Sequence, residues 1–303
     1  MRPAAGLTFG DMASAIIPTV TTHSAPPRRI AIASNPQMPE AGALASSIAD
    51  RVNADGGAAA YASIHDPGLR QGVQRNEFDL LIALGGDGTM LRAGHLCAPC
   101  GVPILGINVG RLGFLTEVDR DAWEPAVRRL MEGQYWIEKR MMLQATHFRN
   151  GHAIGQWQAL NECVVGRGGM VRAVRLVTEI DGRYITTYTA DAVIAATATG
   201  STAYALAAGG PILPPELRNI LIVPVAPHMS FDRAIVLHEA STVRFTVRTD
   251  HTAALSVDGQ QPIPVYDDDQ VEARAGEHSV HFVRFQDPGY FYRALTSRTH
   301  PKP

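Results

Sequence analysis

Apolar positions in the first 130 residues repeat in two rhythms. Residues 29–33 (RIAIA) and 78–84 (FDLLIAL) are short continuous apolar runs, followed by the turn formers Asn35-Pro36 and Gly85-Gly86. Runs of this kind predict strands buried in a parallel sheet. Between them Leu44, Ile48 and Val52 recur every fourth residue, which puts them on one helical stripe, and Gly56-Gly57 ends that helix. A helix over 89–98, a strand over 102–107 and a helix over 121–131 continue the alternation. In the last helix Asp121 and Glu124 have the spacing of a capping pair, and Gly133 stands just past the end. Strands alternating with helices predict an open, mostly parallel α/β sheet.

Beyond residue 134 the rhythm changes to period two. Asn150-Gly151, Asp181-Gly182 and Asp258-Gly259 separate strand-like runs and have the composition of hairpin turns. Residues 242–249 (TVRFTVRT) alternate apolar and polar, and a single helix is expected, near 201–208. The pattern divides the chain into a loose leader (1–27), an α/β domain (28–133), a β-rich, mostly antiparallel domain (134–290) and a tail (291–303).

Composition narrows the function. The 303 residues carry a formal net charge of −2 and 18% charged residues, so no long-range field draws the chain to nucleic acid or an acidic membrane. No run approaches the roughly 20 apolar residues of a membrane helix, and the leader lacks the apolar core of a signal peptide. Three cysteines, Cys97, Cys100 and Cys163, suit a reducing compartment. The Cys97–Cys100 spacing has no second pair to complete a zinc site, so two small residues closing a helix are expected there.

Three segments carry candidate chemistry. Gly85-Gly86-Asp87-Gly88-Thr89 follows the FDLLIAL strand and opens a helix. Glycines there let backbone N–H groups approach a phosphate, and the helix N-terminus adds partial positive charge. A carboxylate in that place repels phosphate unless it holds a cation or takes a proton. Asp87 is fit for either, or for capping the helix. Asn161-Glu162 offers a donor and acceptors suited to a base edge and a ribose diol; adjacent strand residues point to opposite faces, so both reach one ligand only where a strand ends or bulges. In residues 197–211 an apolar strand enters a Gly/Ser/Thr turn and a small-residue helix. The hydroxyls of Thr199, Ser201 and Thr202 are candidate ligand contacts, Tyr204 offers a ring and a hydroxyl, and Asp191 is a second carboxylate. Asp258-Gly259-Gln260 by itself is a hairpin turn.

In this order, the GGDGT block (85–89), GINVGRLGFL (106–115), Asn161-Glu162, TGSTAY (199–204) with AGGP (208–211), and DGQ (258–260) resemble the ATP-dependent NAD kinases. The resemblance spans residues 28 to 291, and TGSTAY is its most specific part. It implies transfer of the γ-phosphoryl group of ATP to the 2′-hydroxyl of the adenosine ribose of NAD, with Asp87 as general base and a divalent cation, Mg²⁺, carried with ATP. Gly85, Gly86, Gly88 and Thr89 would cradle phosphate, with Arg92 beside them. Asn161 and Glu162 would hold the adenine and ribose of NAD, and Asp191 would lie near the nicotinamide end. Thr202, Ala203 and Tyr204 would line the pocket with Ala205, Leu206 and Ala207 behind; Arg172, Ala226 and Gln260 are further carry-overs. The family fold puts the site in the cleft between the two domains, and family members are cytoplasmic homodimers or homotetramers. Three positions depart from the family pattern: Ala198 replaces a usual Pro, Ala192 a usual Gly, and Gly166 a frequent basic residue. Two rivals share parts of the pattern. A lipid kinase shares GGDG but would need an apolar channel, and a catalytically silent NAD binder would have no reason to keep Asp87-Gly88-Thr89 together. The glycine run is not the G-x-G-x-x-G of a dehydrogenase.

Overall fold

The computed structural model describes residues 25–110, 113–170, 172–228 and 231–299. The expected leader lies outside the described residues except for 25–27, where the Tyr135 hydroxyl donates to the Ala25 carbonyl. The first half builds β1 (Arg29–Ser34), α1 (Pro39–Ala54), β2 (Ala58–Ser63), α2 (Pro67–Gln74), β3 (Leu80–Gly85), α3 (Asp87–Cys97), β4 (Ile104–Asn108), β5 (Val118–Asp119) and α4 (Trp123–Met131). Strands β2, β1, β3, β4 and β5 pair in parallel. Along β3, Leu80, Ile82 and Leu84 pack toward α1 and α4, while Leu81 and Ala83 pack toward α2 and α3. Both faces of the strand are covered, which is why its sequence shows no polar alternation.

The second half builds the long hairpin β6 (Trp136–Arg149) and β7 (His152–Ala159), then β8 (Glu162–Arg167), β9 (Val174–Ile180), β10 (Arg183–Ala190) and β11 (Ala192–Ala196). After the short α5 (Tyr204–Ala207) come β12 (Asn219–Val225), β13 (Ile235–His238), β14 (Val243–Arg248), β15 (Ala253–Val257), β16 (Ile263–Val265), β17 (Gln270–Arg284) and α6 (Tyr290–Thr299). A six-stranded antiparallel sheet in the order β13-β12-β11-β8-β15-β16 faces β6, β9, β10, β14 and the first part of β17 across one core, with Tyr188 and Phe245 at its centre. All three hairpin dipeptides take positive φ at both residues, as type I′ turns require.

Several expectations are corrected. The strand β2 and helix α2 fill the interval between Gly57 and Phe78, where no element was anticipated. Helix α4 begins at Trp123 rather than Asp121: residues 120–122 form a 3-10 turn, the N-cap is Ala122, and no side chain caps the helix. The helix expected near 201–208 is a 3-10 turn (Gly200–Thr202) and the four-residue α5, separated by Ala203, whose backbone is not helical. The tail contains a helix, α6.

The return of the chain end unites the two halves. A bulge between Ala275 and Ser279 bends β17, which pairs with β14 and β6 and then meets β4 in parallel at Phe282 and Ile104. One eleven-stranded sheet therefore runs through the whole molecule. Beside β17 lies a buried ionic cluster. Arg284 bonds Glu138 and Glu117, Arg140 pairs with Glu138, and the Tyr290 hydroxyl from α6 bonds both Arg140 and Glu138. Burial alone would raise the Glu138 carboxyl, but Arg284 and Arg140 outweigh it and hold the group at about 2. Among the described residues no helix is long and apolar enough to cross a membrane.

Candidate active site

Strand β3 delivers its last residue, Gly85, to the carboxyl edge of the sheet, where ligands bind in open α/β folds. The N-cap of α3 is Gly86, and Asp87 is the first helical residue. Asp87 does not cap its helix. Its carboxylate accepts the N–H groups of Phe114 at 2.9 Å and Leu115 at 3.1 Å. A Cβ at Gly113 would strike that carboxylate, so glycine there permits the loop to close over Asp87. Nothing lies within 4 Å of where a Cβ on Gly86 would stand, and at Gly88 only the Arg92 guanidinium comes near, so this backbone is open to an incoming group. Thr89 differs: its side chain is buried against Gly85, with its hydroxyl turned inward.

A cleft of about 940 Å³ runs from Gly88, Arg92 and His95 on α3 to Trp157 and the Val257–Gln261 turn. Arg92 curls back to the Gly88 carbonyl at 3.2 Å, holding a cation at the mouth of the glycine loop. Across the cleft stands Asp258, whose side chain is 1% exposed. Its Oδ1 accepts the N–H groups of Asn161 and Glu162, and its Oδ2 accepts the Leu160 N–H and lies 2.7 Å from His95 Nε2. The residue that the sequence presents as a hairpin turn is thus the anchor of the Asn161-Glu162 pair. Strand β8 begins at Glu162, so both side chains stand at a strand end. Glu162 is buried with Oε2 unpartnered. Burial first, then the nearby Asp258, push its carboxyl up to about 8, although a Tyr204 backbone hydrogen bond opposes them.

The Thr197–Tyr204 segment wraps this strand end. Thr197 Oγ1 donates to the Leu160 carbonyl and accepts the Gly200 N–H, and a Cβ on Gly200 would strike the Asn161 carbonyl. Its hydroxyls serve the fold more than the ligand face. Thr199 accepts from the buried Arg140, and Ser201 bonds the Ala198 carbonyl and the Leu213 N–H. Thr202 donates to the Thr199 carbonyl while remaining partly exposed. Ala205 is fully buried against β11 and β12, so its methyl faces the core rather than a pocket. Tyr204 and Leu206 are exposed, Ala207 is exposed beside them, and Ala203 is partly so.

A second, smaller cleft joins Tyr204, Asp191, Arg167 and Ser256. Asp191 pairs with Arg167 at 3.3 Å. Two of the unusual positions meet beside it: Ala192 is the cross-strand partner of Gly166, and a Cβ at Gly166 would come within 2.6 Å of the Ala192 Cβ. The extra methyl at 192 therefore occupies room that glycine at 166 leaves. Gln260 lines the large cleft, and Ala226, exposed just after β12, takes a positive φ of 46°. Arg172 stands apart from the linings of both clefts, exposed and paired with Asp250. The pairing of His95 with Asp258 is not legible in the sequence. The spacing of eight residues from Asp87 puts His95 two turns along the same helix, but nothing local marks a partner 163 residues away.

An α/β layer that offers a glycine loop and a carboxylate, facing a β-sandwich that offers an anchored polar pair, defines a two-domain nucleotide-binding protein. Residues 30–135 match the model of the ATP-NAD kinase N-terminal domain, and residues 160–285 that of the ATP-NAD kinase C-terminal domain. The NAD kinase of Chloroflexus aggregans is 43% identical over 220 residues, covering 73% of this chain and 80% of that protein. That of Heliobacterium modesticaldum is 40% identical over 229 residues, 75% and 81% of the two chains. The fold is shared with yeast NADH kinase complexed with NADH, at a TM-score of 0.77 and 24% identity over 90% of this chain and 87% of that one. It is also shared with an NAD kinase from Archaeoglobus fulgidus in complex with ATP, at a TM-score of 0.71 and 23% identity over 88% and 97%. The chain belongs to the NAD kinase family and is an enzyme of that family.

Proposed function

We propose that the chain transfers the γ-phosphoryl group of ATP to the 2′-hydroxyl of the adenosine ribose of NAD, with Asp87 as the base. The ribose oxygen bonds to the γ-phosphorus, the bond to the β–γ bridging oxygen breaks, ADP departs, and the hydroxyl proton goes to Asp87. The observation that carries this reading is Asp87 itself: a carboxylate at the carboxyl edge of the sheet, among open glycine backbone, held by two N–H groups. Each carboxylate oxygen keeps a further lone pair, so the group can accept a proton while it stays oriented. Asn161 and Glu162 are the proposed contacts to the adenosine of NAD, and Asp191 and Tyr204 those to its far end. The names of the curated relatives support these substrates, and no observation favours a lipid acceptor or a silent binder.

Among the described residues no group of three or more His, Cys, Asp or Glu could hold a metal ion by itself. A single carboxylate beside a phosphate loop fits a Mg²⁺ ion that keeps water and triphosphate oxygens as its main ligands. No protein ligand is assigned to the ion, since Asp87 takes the proton, and the ion would supply neutralisation of charge on the transferring group. A cytoplasmic homodimer or homotetramer belongs to the same reading, by family resemblance.

Asp87→Asn keeps the shape of the side chain and its acceptor for one N–H but removes the base. The expected result is a kcat lowered roughly 10²–10⁴-fold with NAD still bound, measured by steady-state kinetics and calorimetry. A variant with wild-type kcat would exclude Asp87 as the base.

A further inference from the structure

We propose that His95 is a positioning residue, which sets the distance between the reacting carboxylate and the acceptor site through its hydrogen bond to Asp258. The inference rests on the reading that Asp87 reacts and that Asn161-Glu162 bind the acceptor. Asp87 and His95 occupy the first and ninth positions of α3, about 12 Å apart along a rigid helix. Asp258 lies on the other side of the cleft and holds the N–H groups of Leu160, Asn161 and Glu162. The 2.7 Å contact between His95 Nε2 and Asp258 Oδ2 therefore ties the helix that carries the base to the strand end that carries the acceptor contacts.

The chemistry of the contact supports a directed role. A carboxylate oxygen accepts, so Nε2 must carry the hydrogen and donate. The carboxylate is buried, while the His95 side chain, 23% exposed, reaches it from the wall of the large cleft. Asp258 already has three backbone donors within its own half of the molecule. Without His95 the Asn161-Glu162 pair stays anchored and Leu160 still packs beside Gly94 of α3; what is lost is the directional polar link that fixes the spacing. The loss should therefore fall on alignment for the chemical step, not on NAD binding. Displacement of a reacting group by about an ångström costs on the order of a hundredfold in rate.

The test compares His95→Leu, His95→Gln and His95→Asn in the full-length enzyme, with kcat and the KM for NAD measured for each. The Gln amide nitrogen reaches about as far as Nε2; the Asn nitrogen falls short. His95→Leu and His95→Asn are expected to lose roughly ten- to hundredfold in kcat, with the KM for NAD within about threefold of wild type, and His95→Gln to recover most of the rate. Should His95→Leu fold poorly, the polar Asn and Gln pair carries the comparison. Unchanged kcat in His95→Asn, equal losses in His95→Asn and His95→Gln, or a loss confined to KM would each overturn the inference. Failure of the functional reading looks different: the wild type would then make no NADP, or Asp87→Asn would stay active.

Discussion

Glu162 binds its proton more tightly in the folded chain than an ordinary carboxyl does, about 8 against 4.5, because it is buried beside Asp258. Between those values the folded state holds a proton that the unfolded state has released, so stability falls as pH rises across that window. Urea unfolding at pH 5 and pH 8 should show a smaller pH dependence in Glu162→Gln than in the wild type; equal slopes would show that the group does not carry this linkage. Gly113 supports a second prediction at this scale. A methyl there collides with the Asp87 carboxylate, so Gly113→Ala should lower kcat roughly 10–100-fold with a thermal midpoint close to wild type. What could be read at the residue scale follows from locality. Asp87 and the Asn161-Glu162 pair stand in distinctive neighbours-in-sequence, so composition and family pattern single them out. The tasks of Thr199 and Asp258 are set by partners far away in the chain, such as Arg140 for Thr199 and Leu160 for Asp258, and a hydroxyl or a turn aspartate gives no sign of that alone.

Buried charges take part in positioning the elements beside apolar burial. Arg284 is fully buried and donates to the Leu115 carbonyl, and the N–H of that same residue holds Asp87. The cluster on β6 and β17 therefore supports the loop beneath the reacting carboxylate. Removing one member of a buried charge set leaves the others uncompensated, so Arg284→Met should cost about 3–5 kcal/mol in stability. Tyr290→Phe removes only a hydroxyl bonded to charged groups and should cost about 1.5–3 kcal/mol. Denaturant titrations that gave equal costs for the two would contradict this ranking. Elements with a covered face were legible: β1, β3 and α1 each show an apolar run or stripe. Strand β2 was not, because it is an alanine-rich edge with no fully buried residue. Helix α2 is short, and Gly68 and Gly72 blur its pattern, although Asp66 before Pro67 is a cap signal and its side chain does accept the Leu69 N–H.

At the scale of the whole molecule, β17 decides how the two halves relate. Its first part completes the β-sandwich, and its last residues lie between β4 and β6 in the sheet that also carries the α/β half. The change from a helical to a β rhythm near residue 134 was visible in the sequence; the return of the chain end to the first half was not, since a fifteen-residue apolar-polar strand does not announce two partners. Thermal unfolding of the full chain should accordingly show one cooperative transition, and a chain ending before Gln270 should fail to give it. This architecture puts Gly88 and Arg92, beside Asp87, and Asp258, the anchor of the Asn161-Glu162 pair, on the lining of one cleft; that Asp87 and this pair act there on one substrate is the central claim about function. Incubation of the purified chain with NAD, ATP and Mg²⁺, with NADP detected by an NADP-specific dehydrogenase and ADP followed in parallel, tests it most directly. The account predicts NADP and ADP in equal amounts; NAD bound at the site without NADP formed, from ATP or any other triphosphate, would contradict it.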